Sequence, residues 1–344
     1  MGARVLLGVF WTGAIFLFFG YLLAIFMSLL RIGPGIMAGI AEEACANCTT
    51  LLFLVNPLSP TLITELVELA GQESLVWFFL LWASIFFLAS YLLLFHARPA
   101  YRAIRLPLDH AGEKTRSNSL FVAVGQLFMA VLLFDFIYFV LILPFGIGIE
   151  PRPPVSSENF PLWYVFYSLI TAAVWEEVAT RLVLIGVPMT LGSLAMRLVH
   201  TLPAAAGRRG VAGRYAAGSV RYLLGGQVHA RSPTVAKLAG AALVLLSAAI
   251  FGYLHVPAWG AWKFVDTLVL GLALGYLFLR YGLGASVVLH LSVNFLAILQ
   301  YLSGSGVIFF TIFYLVLVAL GAGFALHYLR ESRRFVHDSF RALG

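Results

Sequence analysis

Residues 161–196 read PLWYVFYSLITAAVWEEVATRLVLIGVPMTLGSLAM. The run is apolar and continuous, whereas a membrane barrel strand is about 10 residues of alternating polarity. A helix crosses the hydrocarbon in roughly 20 residues, so the run reads as a membrane helix. It is too long for one straight span: either Pro188 kinks it, since proline breaks the helical hydrogen-bond ladder, or its tail leaves the membrane. Near its centre stand Glu176, Glu177 and Arg181. A charge in the hydrocarbon is expensive unless paired or wetted, which makes these three functional candidates. Glu177 and Arg181, four apart, share a helix face and can pair. Glu176 points about 100° away on a helix of 3.6 residues per turn and has no such partner, which suits it to work as an acid or base.

The rest of the chain repeats the pattern. Of its 344 residues, 61% are hydrophobic and 11% charged, against roughly 25% charged in a soluble domain. Soluble enzymes and disordered chains are excluded. Apolar runs lie at about 5–30, 75–95, 119–146, 161–196, 238–256, 264–279, 283–302 and 305–328. The expected fold is all-α, a polytopic membrane helix bundle of about eight transmembrane helices. Residues 1–118 form an N-terminal two-span region with an acidic outer loop at 31–74, and residues 119–344 a helix bundle with the polar motifs within 176–294. The net charge of +7 comes mainly from Lys and Arg in the loops at 96–118 and 197–237, at Arg280 and in the tail. The opposite loops hold Glu42, Glu43, Glu65, Glu68 and Glu73. The positive-inside rule then puts both termini in the cytoplasm of a multi-pass protein of the cell membrane. The basic excess is explained by this topology, and no nucleic-acid partner is expected.

Two other spans carry polar groups. One ends Phe251-Gly252-Tyr253-Leu254-His255, and another holds His290-Leu291-Ser292-Val293-Asn294. His290 and Asn294 share a helix face. Histidine is the usual proton-transfer side chain, and Asn can donate to a developing oxyanion. Each residue alone also fits a packed, hydrogen-bonded interior position. Together, on three spans, they supply a base, a positioned charge and oxyanion donors, a full set for hydrolysis.

The order Glu176-Glu177-x-x-x-Arg181, Phe251-x-x-x-His255, His290-x-x-x-Asn294 resembles the type II CAAX prenyl endopeptidases of the wider CPBP, or Abi, group of intramembrane proteases. The resemblance spans about 176–294 and leaves residues 1–118 uncovered. It implies a glutamate-type peptide hydrolase acting on a membrane-associated protein or lipidated peptide. Glu176 and His255 would activate water, and His290 and Asn294 would stabilise the oxyanion. Glu177 and Arg181 would support the site, and Phe251 would pack beside His255 or line the pocket. No metal or other cofactor is expected, although Glu176, His255 and His290 would also suit zinc. The span limits put His255 near the outer end of its helix and His290 nearer the inner end of its own. Either 256–262 dips into the membrane or the limits must move.

Two other classes stand beside this reading. A membrane scaffold or bacteriocin-immunity-type protein would keep the same residues for packing. A transporter would show paired broken helices in matching halves, which the sequence lacks. Asp135, in mid-span, reads either as a contact of Arg181 or as an internal hydrogen bond, and Lys263 and Asp266 as headgroup contacts at a span edge. Gly271-x-x-x-Gly275 allows close helix packing. Cys45-Ala46-Asn47-Cys48 lies in the acidic outer loop and reads as a local disulfide or as two free thiols. Membrane lipids are expected partners, and the sequence leaves the oligomeric state open.

Overall fold

The computed structural model describes residues 2–42, 49–56, 59, 61–105, 119–142, 145, 160–201, 218–229, 232–302 and 307–341. Helices α1 (Gly2–Ala41), α2 (Gly71–Arg105) and α3 (Leu120–Ile142) are followed by α4 (Leu162–Glu177). A π-helical segment, Val178–Gly186, joins α4 to α5 (Val187–Thr201). Then come α6 (Thr234–Trp259), α7 (Lys263–Tyr281), α8 (Leu283–Leu302) and α9 (Val307–Arg341). Seven of the described helical stretches are long and apolar enough to span a membrane, and α8 adds a further apolar helix. The chain is an integral membrane protein built as an almost entirely helical bundle.

The long run at 161–196 does not break at Pro188. Its turns widen over Val178–Gly186, and the α-helix restarts at Val187. Pro188 thus follows directly on the widened turns, where Val187 N–H still bonds Leu182 O, and the π segment lets the helix run through the proline without a break. Such π segments recur at functional sites, and this one begins directly after Glu177.

The segment expected as a loop at 31–74 is largely regular. α1 continues through Pro34 to Ala41. Strands β1 (Thr50–Val55) and β2 (Ile63–Leu69) form an antiparallel hairpin, with a bulge in register beside Leu52 and Phe53. β1 is apolar from Leu51 onward and lies against α4: the Tyr164 hydroxyl donates to Thr49 O at 2.5 Å, and Trp175 Nε1 donates to Phe53 O at 2.8 Å. Val55 is buried with Ala179, Leu184 and Ile250. Ala179 is halfway along the helical stretch Leu162–Arg197, so the hairpin lies along the first half of that stretch. Glu43, Cys45 and Cys48 lie outside the described residues.

One core runs through the whole bundle. Trp11, Ile36 and Phe78 from the first two helices pack in the same cluster as Tyr167, Phe251 and Leu289. The Tyr21 hydroxyl donates to Ser292 O, tying α1 to α8. Lipid tails are as apolar as leucine, so close packing rather than transfer from water holds such helices together. Gly271 and Gly275 serve that end. A Cβ on Gly271 would meet Ala248 Cα at 3.0 Å, and one on Gly275 would meet Val244 Cγ1 at 2.8 Å. Gly275→Ala is expected to lower stability by about 1–3 kcal/mol through overpacking. Gly20→Ala, with open space around the added methyl, should not; thermal unfolding of the two variants compares them directly.

Asp135 does not reach Arg181. It lies beside Asp266 and Lys263. Asp266 is buried and paired with Lys263, whose ammonium stands 5.1 Å from the Trp259 ring centre. The headgroup role expected for Asp266 therefore gives way to an interior polar cluster.

Candidate active site

α4, α6 and α8 bring the three motifs to one place. Glu176 is on the last turn of α4, and its Oε2 is 3.8 Å from both His255 Nε2 and His290 Nε2. The depth mismatch between the two histidines disappears because α6 runs to Trp259, one turn beyond His255, and ends at Gly260 with φ +91°. That left-handed conformation favours glycine and stops the helix.

The partners of each imidazole set its protons. His255 Nδ1 is 2.8 Å from Phe251 O, and a carbonyl only accepts, so Nδ1 carries hydrogen and donates. His290 Nδ1 is 2.9 Å from Glu177 Oε1 and likewise donates to that carboxylate. In the neutral imidazoles both Nε2 atoms are then acceptors, and both face the same oxygen of Glu176. At 3.8 Å these are not direct hydrogen bonds. They are separations that one bridging water spans. Glu176 and His255 are about one-fifth exposed, whereas Glu177 and Arg181 are fully buried.

Beneath this triad lies a buried charged layer. Arg181 Nε is 3.4 Å from Glu177 Oε2. Its Nη1 donates to Ser247 Oγ at 2.8 Å, and Ser247 donates to Thr180 O at 2.9 Å. The guanidinium also sits 4.8 Å from the centre of the Phe251 ring, which packs edge-on against His255 and His290. Thr180 Oγ1 donates back to Glu176 O at 2.5 Å. Glu177 thus joins two groups that act on Glu176's surroundings, the Arg181 charge and the His290 ring. Phe251 is a packing element shared by both histidines and the arginine.

Asn294 stands apart from this cluster. Its Nδ2 donates to Leu169 O at 3.0 Å, pinning α8 to α4, and its amide retains a second N–H. Ser247 escaped the motif reading, yet it lies at i−4 from Phe251 and i−8 from His255, on the same face of α6, a spacing visible in the sequence. Phe53 and the hairpin also belong to the surroundings of the site. Their contacts join elements far apart in the chain, and no local pattern announces them. Among the described residues, no group of three His, Cys, Asp or Glu is arranged to hold a metal ion.

Residues 158–296 match the family model described as Type II CAAX prenyl endopeptidase Rce1-like. The matched segment holds all three motifs and every residue of the cluster above. The hairpin and helices α1, α2, α3 and α9 lie outside it. No curated protein and no solved structure matches the chain.

Proposed function

We propose that the protein is an intramembrane endopeptidase that hydrolyses a peptide bond near the end of a membrane-associated, prenylated CAAX-type substrate. The observation that carries this reading is the convergence of His255 Nε2 and His290 Nε2 on Glu176 Oε2, each at 3.8 Å. A water held there gives its protons to acceptors, which raises electron density on its oxygen. That oxygen attacks the substrate carbonyl, and its proton passes to Glu176, with His255 as the neighbouring acceptor. The carbonyl becomes an oxyanion; His290 Nε2 donates to it only when that nitrogen also carries a proton, and Glu177, accepting from Nδ1–H, then balances the charge of the ring. Asn294, bonded to Leu169 O, holds α8 in place beside α4. When the C–N bond breaks, the proton held by Glu176 goes to the leaving amine. General acid–base steps of this kind contribute about 10²- to 10⁴-fold. No step in this scheme uses a metal.

The test is the purified chain in lipid vesicles, given a synthetic farnesylated peptide ending in a C-a-a-X tail. Mass spectrometry should find a released C-terminal fragment, and an unprenylated control should be cut more slowly. Absence of cleavage, with His255→Ala and His290→Ala changing only thermal stability, would favour the scaffold or immunity-type alternative. Chelation provides a separate check. Activity should survive prolonged treatment with EDTA and phenanthroline, whereas loss restored by zinc would assign Glu176, His255 and His290 as its ligands.

A further inference from the structure

The hairpin at 50–69 has one covered edge and one open edge. Phe53 O and Thr49 O point away from β2, toward Trp175 and Tyr164. By strand alternation, β1 residues of that parity turn to α4, and the others bond β2. The opposite edge, that of β2, pairs with no further strand among the described residues, and Thr64 through Glu68 are all exposed. Glu65 is opposite Phe53 and Glu68 opposite Leu51 in the ladder. The register therefore sets Glu65 level with the carbonyl that binds Trp175, the neighbour of Glu176.

The hairpin runs toward the site. Val55, at the inner end of the hairpin, is buried against Ala179 and Ile250, and Leu254 packs on the same cluster beside His255. An open sheet edge is tolerated in a membrane protein where water or a peptide, rather than lipid, satisfies its backbone groups. A scissile bond must also be presented in extended form, and an extended peptide completes an open edge through main-chain hydrogen bonds.

We propose that the outer edge of β2 is the docking strand for the substrate: an extended segment adds beside residues 63–69 and presents basic side chains to Glu65 and Glu68. The inference rests on the protease reading of the site and adds to it a recognition element from outside the family-matched segment. Opposite charges across a strand pair stabilise it modestly. The segment chosen is therefore one with Lys or Arg upstream of the lipidated end.

The experiment uses the full chain as Glu176→Gln in lipid nanodiscs. The probe is a farnesylated C-a-a-X peptide with Lys and Arg upstream, and a second peptide carries Ser at those positions. Amide hydrogen exchange is read over 63–69. The basic probe should slow exchange there, and the Ser probe should need a roughly 2- to 30-fold higher concentration for the same effect, from two cross-strand charge pairs. In Glu65→Lys/Glu68→Lys, a peptide with upstream Glu should take over as the better ligand. Unchanged exchange over 63–69 with the basic probe overturns the docking strand, whatever the fate of the peptide. Wild-type cleavage of the same probe alongside that result would leave the proposed function standing. Protection without cleavage would overturn the proposed function and keep the docking strand.

Discussion

Replacing Glu176 by Gln is expected to abolish measurable cleavage and to leave the bundle folded. The variant keeps the side chain's size and removes its capacity to take a proton. If Glu176 is the general base, turnover falls by roughly 10²-fold or more. Stability should hardly change, because Glu176 is part-exposed and its nearest cationic or imidazole partners are 3.8 Å away. Release of the C-terminal fragment from the farnesylated peptide measures the first effect, and thermal unfolding of the purified protein measures the second. A folded variant with full activity would remove Glu176 from the chemistry.

The second large effect is on stability. Glu177→Leu leaves the Arg181 guanidinium buried without its carboxylate, and Arg181→Leu strands Glu177. Breaking a buried pair from one side costs about 3–5 kcal/mol. The double variant Glu177→Leu/Arg181→Leu removes both charges and should recover much of that loss, since apolar replacement of a buried pair is often neutral. It should nevertheless stay inactive, because His290 Nδ1–H no longer has its acceptor. Chemical unfolding of the three variants, with peptide cleavage measured beside it, separates the two roles. Single variants as stable as wild type would contradict the account of the buried layer.

Much of this site could be read from the chain because helix geometry is local. Glu177 and Arg181 are four apart, and they pair. Phe251 and His255 are four apart, and Phe251 O fixes the imidazole. The membrane setting sharpened these signals, since a charge inside an apolar run has few inexpensive explanations. Contacts between distant elements were not legible in the same way. Nothing in the spacing says that Glu177, rather than Glu176, takes His290 Nδ1–H, or that Asn294 spends one N–H on Leu169. Both follow from how α8 packs on α4. Asp135 shows the same limit: its charged neighbours are Asp266 and Lys263, not Arg181.

The hairpin was lost for a different reason. Leu51–Val55 is a short apolar run and Ile63–Leu69 mixes Glu with β-branched residues, a pattern that suits a strand as well as a loop next to a membrane. Asn56-Pro57-Leu58-Ser59-Pro60 between them carries turn residues. Charge alone marked the region as an acidic loop outside the bundle. Burial of Val55 and the Trp175 bond to Phe53 place the hairpin against the helix that carries Glu176.

The most direct measurement compares new peptide termini in membranes expressing wild type or Glu176→Gln at equal levels. The account predicts termini present only with wild type, lying close to the C-terminal end of lipidated membrane proteins. Identical sets of termini, with both proteins folded and equally abundant, would contradict it.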